Sequence, residues 1–161
     1  MKKLITFALL LLCMTAGAQG KWIVSHREAD PMKGQEAKDV YIFGVEGIGG
    51  VVVWDWDKAD FRLITEKGMF RKWLSNGAPF VPVKAGFYDE NGNMTEMVTV
   101  TLLPEDNSMG KYIATADRYI LGRKDIRKIM SRMKSGKGYV RFVVERYNDT
   151  DFDIKVTPYK Q

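Results

Sequence analysis

Phe80–Tyr88 (FVPVKAGFY), Asp89–Asn93 (DENGN) and Met94–Leu103 (MTEMVTVTLL) follow one another without a break, and this passage decides the fold. Both outer runs are rich in Val, Phe, Tyr and Thr, the composition of strands. Between them, Asn91-Gly92 readily adopts the backbone angles of a tight hairpin. The two runs are expected to pair. The same acidic turn superficially resembles a calcium loop, but the EF-hand spacing wants Gly at the sixth position and a distant Glu, and neither is present.

Outward from this hairpin, short runs of Val, Ile, Phe, Tyr, Trp and Thr recur between turn residues. The candidates are Trp22–Glu28, Val40–Val45, Val51–Trp56, Phe61–Glu66, Tyr112–Ala116, Tyr139–Tyr147 and Phe152–Pro158, with Met69–Leu74 readable as a strand or a helical turn. Gly44, Gly47, Gly49 and Gly50 lack the Lys-Ser/Thr ending of a phosphate loop and read as a hairpin or bulge. The expected fold is mostly β, an antiparallel β-sandwich of about nine strands.

One segment departs from this pattern. Between Arg123 and Lys134, Ile126, Ile129, Met130 and Met133 fall at i, i+3, i+4 and i+7, the apolar stripe of an amphipathic helix of about three turns. Ser135-Gly136 then ends it, Gly being suited to a left-handed cap. The opposite face carries Arg123, Lys124, Arg127, Lys128, Arg132 and Lys134, with Lys137 just beyond. Such a face fits phosphates of lipopolysaccharide, anionic lipid or nucleic acid, and equally a solvated surface. Aromatic residues are not interleaved with these charges, so nucleic acid is not the expected partner.

Residues 1–18 read as a signal peptide: Lys2 and Lys3 give a positive start, Leu4–Cys13 an apolar run, and Ala16-Gly17-Ala18 the small residues of a cleavage site. The run is about ten residues, short of the roughly 20 that span a bilayer, and no later stretch is longer. Cys13 follows Leu12, where lipidating machinery wants Gly, Ala or Ser, so lipid attachment is not expected. Removal of 18 of the 161 residues leaves 143, a single-domain length, and lowers the formal charge from +5 to +3. The remaining chain has no cysteine, which excludes thiol chemistry and disulfides. Export to the periplasm or cell surface of a bacterium is the expected destination.

The most informative candidate site is Val51-Val52-Val53-Trp54-Asp55-Trp56-Asp57. In an extended chain Val52, Trp54 and Trp56 share one face, and Asp55 and Asp57 the other. Exposed tryptophans would stack on sugar rings or a base, the aspartates fixing hydroxyls or a Ca²⁺ ion; buried ones would be ordinary core. Trp22 and Trp73 are lesser candidates for the same work. Asp55 and Asp57 also form a carboxylate pair of the kind a hydrolase uses. His26, the single histidine, follows Ser25 directly, and adjacent strand residues point to opposite faces, so they form no nucleophile–base pair. One histidine without a mature cysteine makes no transition-metal site of the usual kind, and no cofactor is expected. Asn93-Met94-Thr95 and Asn148-Asp149-Thr150 match glycosylation acceptors.

Trp22-Ile23-Val24, then Asp30-Pro31-Met32-Lys33, then short strands and a late amphipathic helix running into two terminal strands resembles a group of small exported bacterial and phage-encoded proteins. Their mature domains open with Trp and an Asp-x-Met-Thr/Lys step. The resemblance implies a β-sandwich of unknown function and carries over no catalytic residue. Export, the absence of a catalytic motif and a strand-rich scaffold with many charges make the expected function binding without catalysis, to a protein or an envelope polymer. A carbohydrate-binding module and a carboxylate hydrolase are the alternatives.

Overall fold

The computed structural model describes residues 20–65, 81–106, 112–116, 123–147 and 150–159. The expected leader, Met69–Leu74 and Trp73 lie outside the described residues. The chain is mostly antiparallel β: β1 (Lys21–Arg27), β2 (Lys38–Val45), β3 (Gly49–Asp55), β4 (Asp60–Thr65), β5 (Val81–Tyr88), β6 (Met94–Asp106), β7 (Tyr112–Ala116), β8 (Tyr139–Tyr147) and β9 (Thr150–Val156). One α-helix, α1 (Arg123–Ser135), is present among the described residues.

β5 and β6 pair from Val81↔Leu102 to Tyr88↔Met94. Their turn is closed by Asp89, whose Oδ1 accepts the N–H groups of Asn91 and Asn93 at 2.9 and 2.8 Å. The carboxylate is thus engaged by its own loop, as in an Asx turn. Chiefly the Asn93 N–H holds Asp89 below the usual carboxylate range. The glycines of β2 and β3 form the expected hairpin, Gly44 opposite Gly50 and Val45 opposite Gly49. Gly49 is required twice over: its φ is +139°, and a Cβ there would stand 1.8 Å from the Ile64 carbonyl oxygen.

The strands form one continuous ladder, β1-β2-β3-β4-β7-β6-β5-β8-β9. The expected strand-rich, antiparallel architecture is present, and here one sheet supplies both layers by folding over. Phe61 of β4 and Phe142 of β8 are four places apart in this order, about 19 Å in a flat sheet. Their ring centroids are 5.9 Å apart. The two ends also meet, the Trp22 indole N–H of β1 donating to the Thr157 carbonyl just past β9 at 2.6 Å. The result is sandwich-like.

Alternation along each strand fills the interior with Phe43, Val51, Val53, Phe61, Leu63, Phe87, Leu102, Phe142, Phe152 and Ile154, all essentially inaccessible. Ile126, Ile129, Met130 and Met133 of α1 join this core. A fully buried side chain of this size contributes about 1.5–3 kcal/mol. The Tyr159 N–H donates at 2.7 Å to the Met133 carbonyl, one of the orphan acceptors at the helix C-terminus.

Candidate functional site

β3 buries Val51 and Val53 in the main core, so Val52 and Trp54 turn to the outer face of the sheet. There Val52, Val40, Ile42 and Ile64 make a small second cluster, against which Trp54 packs. The expectation that Trp54 and Trp56 share a face is corrected. The register slips between Val53 and Asp55, and β3 ends at Asp55, so Trp56 lies in the following turn and swings back to the interior side. A β-bulge breaks strict alternation in this way.

Trp56 sits in an aromatic cluster whose members are half-buried. Its ring lies 5.5 Å from Tyr41, 5.8 Å from Trp22 and 6.4 Å from Tyr159, and Tyr41 and Tyr159 are 4.9 Å apart. At these centroid spacings the rings touch each other, leaving no gap between them for a guest ring. Burial, helped by the Asp39 charge and Tyr159, pushes the Tyr41 phenol up.

Trp54 has different company. Arg62 of β4 lies 5.0 Å from its ring, Lys38 of β2 5.4 Å and Arg27 of β1 5.7 Å, all within cation–π range. Because β3 runs between β2 and β4, these cations flank the half-buried indole from both neighbouring sides. Arg27 also donates to Gln35 Oε1. Trp54 Nε1 and Arg62 Nε, like Trp56 Nε1, are buried without an acceptor among the described residues.

The paired aspartates have separate roles. Asp55 Oδ1 accepts the N–H groups of Asp57 and Lys58 at 3.0 and 2.9 Å, fixing the β3–β4 turn. Burial pushes its carboxyl up, but these two donors, with the charges of Lys58 and Lys38, outweigh burial and hold it below the usual range. A general acid needs the reverse shift. Asp57 stands in solvent, its side chain 96 % exposed, with Lys134 Nζ 4.0 Å away.

On α1, Lys124 and Arg127 are exposed, while the Arg123 side chain lies outside the described residues. Lys128 pairs with Glu96, and Lys128 and Arg132 each lie 5.8 Å from the Phe87 ring. Arg132 also donates to the Lys137 carbonyl at 3.3 Å. Several of the cations proposed from sequence as a docking face are thus tied to the protein's own surface. His26 Nδ1 meets Asp39 Oδ1 at 2.8 Å on the exposed β1–β2 edge. No group of three or more His, Cys, Asp or Glu side chains able to hold a metal occurs among the described residues. No described helix is long and apolar enough to cross a membrane.

Sequence reasoning singled out Trp54 and missed Arg27, Lys38 and Arg62. These three are scattered along the chain, and only the pairing of Arg27 with Lys38 and of Arg62 with Val52 places them around one indole. Compared with known proteins, the chain matches no family model, no curated protein and no solved structure.

Proposed function

We infer that this is an exported, non-catalytic protein of the bacterial envelope, built on a β-sandwich scaffold, that binds an anionic surface polymer through the outer face of β1–β4. The observation that carries the reading is Trp54 held among Arg27, Lys38 and Arg62. Cations gathered on one sheet face attract a polyanion over the length of the patch, and a polymer engages several at once. The apparent leader, residues 1–18, supports export.

The geometry favours this over the two alternatives. A sugar-stacking platform needs a free aromatic face, whereas Trp54 is flanked by cations and Trp56 is packed against other rings. A carboxylate hydrolase needs a protonated acid, whereas Asp55 is held ionised by its turn.

Isothermal titration of the protein with dextran sulfate, polyphosphate and neutral dextran tests the proposal. Expected is binding of the two polyanions alone, weakening as salt rises. The triple replacement Arg27→Ala, Lys38→Ala and Arg62→Ala abolishes it, while Lys124→Ala with Arg127→Ala leaves it unchanged. Binding of no polyanion, or loss only in the helix variant, overturns the reading.

A further inference from the structure

The anionic-polymer reading says nothing of which anion the patch prefers, and two orphan donors narrow the choice. Trp54 Nε1 and Arg62 Nε are each shielded from solvent and meet no acceptor among the described residues; Trp56 Nε1 shares that state but lies on the interior side, away from the cations. The first two belong to one place, since the Arg62 guanidinium lies 5.0 Å from the Trp54 ring. A buried N–H without an acceptor is among the costlier features of a folded protein, and most are satisfied. Around this pair stand two further donor-only groups, the Lys38 ammonium and the Arg27 guanidinium. Asp55 borders the patch, but its Oδ1 is occupied by the N–H groups of Asp57 and Lys58.

Resting on the reading above, we propose that Trp54, Arg62, Lys38 and Arg27 form a site for a tetrahedral oxyanion, a phosphate or sulfate ester borne by the polymer. The complement of a donor-only site is an acceptor-only group. Donors converge here from β1–β2 on one side and from β3–β4 on the other, so a planar carboxylate with two oxygens serves fewer of them than a tetrahedral ester with three terminal oxygens. Arg62 supplies the planar, forked donor set that oxyanions favour. Lys38 is exposed and Arg27 half-buried, each on a long flexible stem over the indole. On this proposal an arriving anion draws these two heads onto itself and reaches the two N–H groups beside the ring.

The test separates shape-specific recognition from charge alone. Arg62→Lys keeps the charge and removes the Nε donor; Trp54→Phe keeps an aromatic ring and removes the indole N–H. Binding of polyphosphate, dextran sulfate and polygalacturonate is measured by titration on both variants and the wild type, each checked for an intact thermal transition. Expected is at least about a tenfold loss for polyphosphate or dextran sulfate in each variant, the scale of one hydrogen bond to a charged group. Polygalacturonate should bind the wild type more weakly, and its affinity should change little. In the wild type, the Trp54 indole proton resonance should move on titration with inorganic phosphate or sulfate and stay still with acetate. Whichever of the two oxyanions gives the larger shift identifies the ester. Wild-type binding that both variants retain in full overturns the oxyanion site and leaves the polymer reading standing. A wild type that binds no polyanion overturns both.

Discussion

Asp153 of β9 accepts both arms of the Arg141 guanidinium from β8, Nε at 2.9 Å and a terminal nitrogen at 2.5 Å, and these bonds hold its carboxyl below the usual range. A depressed folded-state value stabilises the protein above the unfolded carboxylate range near pH 4, and that contribution is lost as pH falls through the folded value. Asp153→Asn should therefore lower stability at pH 7 by about 1 kcal/mol or less, because both side chains are more than a third exposed and screened. Urea melts of wild type and variant should converge as the pH falls from the unfolded carboxylate range through the lowered folded value; a gap that stays constant would show the loss to be steric. The same residue-scale logic explains what the sequence revealed of the candidate site. Trp54 stands out in any reading of Val51–Asp57, but Arg27, Lys38 and Arg62 become its neighbours only through strand register. Trp56 departs from simple alternation because a bulge between Val53 and Asp55 is a backbone event that side-chain alternation does not encode.

Elements were more legible than sites, since periodicity follows directly from burial. The helix stripe of Ile126, Ile129, Met130 and Met133 is buried to within 5 % exposure throughout. Replacing Ile129, wholly inaccessible, by Ala should cost about 2–5 kcal/mol in a urea melt, through lost transfer energy and the cavity left behind. Replacing exposed Lys124 by Ala should cost less than about 0.5 kcal/mol. The β2–β3 hairpin was likewise expected from its glycines, yet the reason Gly49 is needed lies in a third strand. Its absent Cβ makes room for the Ile64 carbonyl of β4. Gly49→Ala should accordingly destabilise by more than the roughly 1–3 kcal/mol of backbone strain alone, whereas Gly47→Ala, with nothing within 4 Å, should carry only the strain of its positive φ. Equal losses at the two positions would refute the part assigned to β4.

At the scale of the molecule, strand pairing between neighbours in sequence was foreseeable, but the sheet order was not. β7 enters between β4 and β6, and nothing in the composition of Tyr112–Ala116 selects that place. Nor does the sequence disclose that the two ends of the chain's sheet close on each other. The closure depends on Trp22, which contacts Phe43, Trp56 and Tyr159 at centroid distances of 5.4, 5.8 and 5.9 Å and donates its indole N–H to Thr157. Tyr159 in turn ties its backbone to the end of α1. If these contacts act together to hold the ends, Trp22 and Tyr159 are coupled, and removing one side chain spends part of what the other contributes. A double-mutant cycle on Trp22→Ala and Tyr159→Ala should then give an interaction energy of about 0.5–1.5 kcal/mol, the range for an aromatic pair in contact. Trp22→Phe, which retains a ring and loses the hydrogen bond to Thr157, should fall between wild type and Trp22→Ala. Strict additivity in the cycle would mean that the sheet's two ends are held independently, by Phe43 on one side and α1 on the other.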